Sequence, residues 1–347
     1  MEDRFRYETE RLRESWGKYD RAILRDYLVK DVEDPRINAQ SILTRHWLIE
    51  QLFGNEFSDL MEHEMRFSLV MNWLLKLIKN NIRTNQLQAI LDALICGSNN
   101  AESIIIPSYI SKTFSSLSMP NYIFDALNMP FVEDSKGTIP EYLTSVFARI
   151  WNDVLTNKKS QSISVIEPAC GSANDYRFLD AFGVSRFIDY KGFDLCEKNI
   201  HNAGMMFPEI DFEIGNILGI SAEDNAFDYC FVHDLFEHLS LEAMESAISE
   251  ICRVTRLGIC INFFNMYNGD KHIVKFVHSY HWNKLSAIKI KRILNKKVSN
   301  VKIIHIDSFL GSAYGYNDTH NKNAFTFIIN VLVFVILFSY QQLYFNL

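Results

Sequence analysis

The residues best equipped for chemistry gather in two short stretches. The first, Val165-Ile166-Glu167-Pro168-Ala169-Cys170-Gly171-Ser172-Ala173-Asn174-Asp175, reads as a buried strand that ends in an acid and turns through small residues into a helix. Small side chains let the turn's backbone approach a ligand closely. Tyr190-Lys191-Gly192-Phe193-Asp194-Leu195 then gives a second strand closed by a carboxylate, the natural acceptor for a paired diol. The second stretch is Phe227-Asp228-Tyr229-Cys230-Phe231-Val232-His233-Asp234-Leu235-Phe236-Glu237-His238-Leu239. His233, Glu237 and His238 follow directly on its apolar run, and each is a residue type that removes a proton from an acceptor hydroxyl. His281, in a polar and aromatic loop between Asn262 and Trp282, is a further candidate base.

The elements that must position these groups follow from hydrophobic patterning. After Ser160 strands fit near 163–166, 189–193, 210–214, 227–232, 257–263 and 301–306, with helices near 174–182, 196–206, 241–254 and 286–295. Such alternation implies an α/β fold with a mostly parallel sheet covered on both faces. Residues 233–238 then fall just past the carboxyl end of a central strand, where open α/β sheets place their sites. Before Asn157 the chain reads as helical. Pro35 is placed at a helix start, Ile42 to Phe53 form an apolar stripe that ends at Gly54, and Phe57 to Ile78 form a longer amphipathic helix. Thr138 is a candidate N-cap for another helix. The expected organisation is a helical domain at 1–157, an α/β domain at 158–334 and an apolar tail at 335–347.

From Ser162 to Phe334 the chain resembles the class I S-adenosylmethionine-dependent methyltransferases. The resemblance implies a Rossmann-like, seven-stranded, mostly parallel sheet that binds S-adenosyl-L-methionine. It places Glu167, Ala169, Cys170 and Gly171 at the cofactor turn, with Glu167 toward the cofactor's amino-acid end. Ala169 and Ala173 stand where that family usually has glycine. Asp194, followed by Leu195, corresponds to the ribose-binding acid; a helix N-cap is the plainer role for it. Asn216 takes the place of an acid that contacts the adenine amino group, and Ile217 and Leu218 would pack on the ring. The Glu-His-Leu run is common in members that act on small molecules. There His233 and Asp234 line the methionine end, with a helix cap as the plainer role for Asp234, and His233, Glu237, His238 or His281 supplies the base, with a helix-start or supporting role as the plainer one for His238. The string 168–172 also resembles the turn of DNA adenine methyltransferases, but their Asn/Asp-Pro-Pro-Tyr/Phe motif is replaced by His233-Asp234-Leu235-Phe236, which excludes a DNA substrate. Methyl transfer to an oxygen or nitrogen of a small molecule or glycan is the function implied. A cofactor-binding scaffold without turnover is the alternative, ahead of a protein or RNA methyltransferase.

Composition sets outer bounds. The 347 residues carry a net charge of −7, which gives no reason to expect a nucleic-acid partner. Six cysteines without metal-ligand spacing, and a charged start with no apolar run behind it, predict a reduced cytoplasmic protein with no secretory leader and no metal. His46, Glu50, Glu62, His63 and Glu64 lack the spacing of a carboxylate metal site and read as ordinary helix faces. Lys284, Lys289, Lys291, Arg292, Lys296, Lys297 and Lys302 make a basic face, read as solvated, with an anionic substrate or lipid surface as the alternative. Ala324 to Tyr340 is apolar but for Thr326, Asn330 and Ser339. A strand continued by an apolar tail is expected, and a membrane anchor competes for the same residues.

Overall fold

The computed structural model describes residues 34–80, 82–101, 104–115, 143–277, 280–298, 300–319 and 321–331. The predicted helix start at Thr138 and the apolar tail beyond 331 lie outside them. In the first half, helices α1 (Ala39–Phe53), α2 (Ser58–Lys79), α3 (Thr84–Ile95), α4 (Ser108–Ser115) and α5 (Val146–Leu155) precede the sheet. Pro35 lies in the turn ahead of α1 rather than at its first position. The cap is Asn38, whose side chain accepts from the backbone N–H groups of Gln40 and Ser41. Gly54 closes the helix at φ +61°, a conformation open to glycine.

The second half alternates as its pattern requires: β1 (Ile163–Pro168), α6 (Asn174–Ala181), β2 (Ile188–Asp194), α7 (Glu197–Met206), β3 (Asp211–Ile214), β4 (Phe227–His233), α8 (Leu241–Val254), β5 (Thr255–Phe263), α9 (Ala287–Leu294), β6 (Asn300–His305), α10 (Ile306–Tyr314) and β7 (Phe325–Asn330). The expected strand and helix limits agree within two residues; α10 was not anticipated. The seven strands lie in the order β6-β7-β5-β4-β1-β2-β3. β1 to β5 pair in parallel, and β7 runs antiparallel to both β5 and β6. This is the seven-stranded sheet of class I methyltransferases. The start of the apolar C-terminal run is therefore a strand inserted between two others, where both faces of Phe325 to Ile329 find cover.

Alternation along the strands sorts the core into two layers. Val165, Tyr229, Phe231 and Cys260 face one layer, which contains Trp47 of α1, Trp151 of α5 and Phe182 after α6. Their chain neighbours Ile166, Cys230, Val232, Ile259 and Ile261 face the other, filled by Ala247, Ile251 and Ile290 of α8 and α9. The N-terminal helices thus share a core with the sheet. α1 comes so close that a Cβ on Gly258 of β5 would stand 3.2 Å from the Trp47 ring. That contact brings polar residues of α1 to the carboxyl end of the strands.

Candidate active site

The turn after β1 is held against the end of β2. Ala169, Gly171 and Ala173 all have left-handed backbone, with φ of +58°, +57° and +61°. For alanine this conformation costs about 1–2 kcal/mol per residue. The Cys170 N–H donates to the Phe193 carbonyl at 3.0 Å, and the Gly171 N–H donates to Asp194 Oδ2 at 3.0 Å. Asp194 Oδ1 accepts from the Cys196 N–H at 2.7 Å and from Asn199 Nδ2 at 3.3 Å. Asp194 therefore ties the turn to the start of α7, a positioning role beyond the simple cap considered from sequence. Burial raises its pKa, and these three bonds moderate the shift. Asn199 was not singled out by sequence reasoning.

Glu167 is only 2 % exposed and accepts a hydrogen bond from the Tyr190 phenol. Burial, and then the charge of Asp175, push its carboxyl well above the usual range, while the Tyr190 hydrogen bond opposes the shift. Asp175 and Asp234 stand nearby, and both reach solvent. Asn216 Oδ1 already accepts the Leu218 N–H at 3.0 Å, closing a local turn at the end of β3. Ile217 and Leu218 are buried there, and Leu195 is half-buried.

At the end of β4, His233 sits inside a polar chain. Its Nδ1 is 3.2 Å from Asp175 Oδ1, and its Nε2 is 2.5 Å from Asn262 Nδ2 and 3.1 Å from Thr44 Oγ1. Asn262 Nδ2 also donates to Thr44 Oγ1 at 2.8 Å, and Thr326 Oγ1 donates to Asn262 Oδ1 at 2.6 Å. Gln40 Nε2 donates to the carbonyls of Phe263 and Phe325 at 3.2 and 3.1 Å. Burial lowers the His233 pKa, but Asp175 outweighs it and the net shift is upward. With both ring nitrogens engaged, His233 is built for positioning more than for proton removal. Asp234 beside it has φ +50° and is exposed yet ringed by protein. That enclosure pushes its carboxyl up to about 6, with His233 opposing and Asp175 adding.

Glu237 and His238 lie under the loop from Phe264 to Lys284. Glu237 is fully buried; Oε1 accepts the Asn265 N–H at 3.0 Å, and Oε2 has no hydrogen-bond partner among the described residues. Burial and the nearby Asp234 raise its pKa to about 8. His238 Nδ1 lies 3.1 Å from the His281 carbonyl. A carbonyl only accepts, so Nδ1 carries the proton and Nε2 the lone pair. Burial lowers the His238 pKa, which keeps the ring neutral at pH 7. Its ring packs against Trp282, Phe264 and Tyr280 at centroid distances of 5.3, 5.4 and 5.5 Å. Asn283 fastens the loop, donating from its backbone to the Glu237 carbonyl at 2.9 Å and from its side chain to the Leu239 carbonyl at 2.8 Å. His281 is half-buried with its ring on Phe276, and His272 accepts the Ser286 N–H.

Elsewhere, the acids and histidines of the N-terminal helices are not all ordinary surface. Glu64 is 1 % exposed and accepts from Arg45 Nη2 at 2.7 Å, His46 Nε2 at 2.6 Å and Trp151 Nε1 at 2.6 Å. The sequence signal missed was Arg45, a cation on the apolar stripe of α1, which calls for a buried acid as partner.

Sheet order and strand directions are those of a class I methyltransferase domain, and residues 166–261 match the family model described as a methyltransferase domain. The chain thus carries a methyltransferase domain, a family whose methyl donor is S-adenosyl-L-methionine. No curated protein matches the sequence. Among solved structures, an S-adenosylmethionine-dependent methyltransferase from Methanosarcina mazei is 12 % identical, with 52 % of this chain and 97 % of that one covered and a TM-score of 0.39. Magnesium protoporphyrin IX methyltransferase from Synechocystis is 11 % identical, with 60 % and 91 % covered and a TM-score of 0.35.

The turn suits this cofactor. A Cβ on Gly171 would meet nothing nearer than Asn174 at 3.8 Å, so the backbone has an open side. When bound, the cofactor supplies a sulfonium-activated methyl group to an acceptor nucleophile. Among the described residues, no helix is long and apolar enough to cross a membrane.

Proposed function

We propose that the protein methylates an oxygen or nitrogen of a small-molecule or glycan acceptor, bound between the end of β4 and the loop 264–284. The observation that carries this reading is the ring of Phe264, Tyr280, Trp282 and neutral His238 beside Asp234. Such a ring suits a small, partly apolar acceptor better than a chain of phosphates. For a hydroxyl acceptor His238 is the preferred base, since its neutral tautomer carries a lone pair on Nε2. The chain's main contribution would be to hold donor and acceptor aligned and dry. Residues 1–157 are assigned a helical unit that walls the acceptor side, which Thr44 and Gln40 support by reaching the strand ends. Glu167, Ala169, Cys170, Gly171, Asp194, Leu195, Asn216, Ile217, His233 and Asp234 are assigned to the cofactor site, and the protein to the cytoplasm.

Calorimetric titration with S-adenosylmethionine and its demethylated product tests the site. Wild type is expected to bind both at micromolar concentration. Asp194→Ala is expected to lose about 100-fold or more, because two hydrogen bonds to a charged group contribute roughly 1.5–3 kcal/mol each. Absence of binding by folded wild-type protein would overturn the assignment. Binding with no turnover over a broad panel of hydroxyl and amine acceptors would favour the scaffold alternative.

A further inference from the structure

The loop that covers the site has a second character on its outer side. Residues 271–302 contain nine lysines and arginines and no aspartate or glutamate, in a chain whose net charge is −7. At their start, two-residue strands Phe276–Val277 and Tyr280–His281 pair into a small hairpin. Ile273, Val274 and Phe276 on it are 51, 53 and 55 % exposed, three of the seven large apolar residues so exposed among the described residues. The apolar group is set among cations. Lys275 lies between Val274 and Phe276, and Lys284 faces Ile273 through an antiparallel bridge. Lys289 of α9 acts on His272, the neighbour of Ile273, through its charge.

Helix α9 continues the surface. Ala287, Ile290 and Leu294 are its buried residues. Lys289 and Arg292, at i and i+3, therefore share another face, and Lys296 follows in the turn that ends the helix. Among the described residues, none of Lys271, Lys275, Lys284, Lys289, Lys291, Arg292, Lys296 or Lys297 forms an ion pair.

We infer that the segment 271–276, with Lys284 and helix α9 beside it, docks the protein on an anionic lipid bilayer, with Ile273, Val274 and Phe276 entering the interface and the lysines meeting the headgroups. A cationic rim around exposed aliphatic and aromatic side chains is the chemistry of interfacial binding: each cation near an anionic surface contributes, and apolar burial adds to it. A nucleic acid would use the cations but has no use for Ile273 and Val274. An aqueous anionic metabolite would use neither the spread of charge nor the exposed apolar group. The docked face is the outer side of the loop whose inner residues, Tyr280 and Trp282, line the proposed acceptor enclosure. An acceptor partitioned in the bilayer would thus meet the site without crossing bulk water. The docking itself does not depend on the acceptor's identity.

The test is flotation of the full chain with vesicles of phosphatidylcholine alone and of an even mixture with phosphatidylglycerol. Binding is expected only to the anionic vesicles and should weaken as salt is raised. Lys289→Glu with Arg292→Glu is expected to weaken it tenfold or more, at about fivefold per cation removed. Ile273→Ser with Phe276→Ser should weaken it several-fold. Both double variants should keep wild-type affinity for S-adenosylmethionine, which shows that they fold. No flotation, equal flotation with phosphatidylcholine alone, or flotation untouched by either double variant would overturn the proposal. So would tighter binding to single-stranded RNA than to vesicles that survives Ile273→Ser with Phe276→Ser.

Discussion

The two polar constellations at the strand ends are built in opposite ways. At the cofactor turn, Gly171, Cys196 and Asn199 all bond Asp194, and the most distant of them is 23 residues away in the chain. Around His233 the partners are Thr44, 189 residues away, and Asp175, while Asn262 reaches Thr44 across 218 residues. The turn is a local motif that any correctly placed β–α–β unit would form. The His233 chain exists only because α1 packs against β5 and β4. A ligand site of the first kind tolerates change in the rest of the fold; one of the second kind reports on it.

The largest effect expected from this contrast lies where the long-range packing buries charge. Glu64→Ala leaves Arg45 without its buried partner and should lower stability by about 3–5 kcal/mol in urea denaturation. Burial raises the Glu64 pKa, but Arg45 and His46 outweigh it and hold the carboxyl below its ordinary 4.5. The stabilisation is therefore complete above that pH and lost as pH falls through the folded value. A wild-type acid limb that matches the limb of Glu64→Gln would refute the role given to Glu64.

Next comes Glu237, whose pKa is raised to about 8. A raised carboxyl stabilises the fold below pH 4.5, and that contribution fades between there and about pH 8. Glu237→Gln should remove this slope, leaving the variant more stable than wild type at pH 8.5 by roughly 3–5 kcal/mol, relative to their difference at pH 4. Thermal unfolding across pH measures it; parallel curves would show that the carboxyl does not titrate there.

Smaller again is the His233 chain. Asn262→Ala and Thr44→Ala are each expected to cost about 1–3 kcal/mol. Their double variant should fall short of the sum by at least about 0.5 kcal/mol, since the two share hydrogen bonds. Additive losses would mean that the chain is a set of separate contacts. The smallest effect belongs to the local turn. Ala169→Gly should stabilise the protein by about 1 kcal/mol by relieving a left-handed alanine. Destabilisation would show that the turn relies on the methyl group.

The contrast also explains what was readable beforehand. The strands and helices of the second half, the turn and Asp194 were legible because their signals are local: apolar runs of strand length, small residues after an acid, and a second acid at the end of the next strand. Glu167 was read from the same pattern, but its hydrogen bond from Tyr190 on the adjacent strand was not legible there. Asp175 went unnoticed, because nothing in Asn174-Asp175-Tyr176 distinguishes a helix-start acid from a partner of His233. Glu64 was read with the helix surface because its three partners come from two other helices.

By itself the sequence determined the order of strands and helices, the cofactor turn and the carboxylate that meets it, since these depend on side-chain periodicity and neighbours within one β–α–β unit. Tertiary structure alone decided which carboxyls have raised pKa values, which histidine is locked and which keeps a proton-accepting tautomer, and which apolar residues of the covering loop are left facing outward. Those properties depend on the dielectric surroundings and hydrogen-bond partners of each group, and here they are supplied by residues far away in the chain.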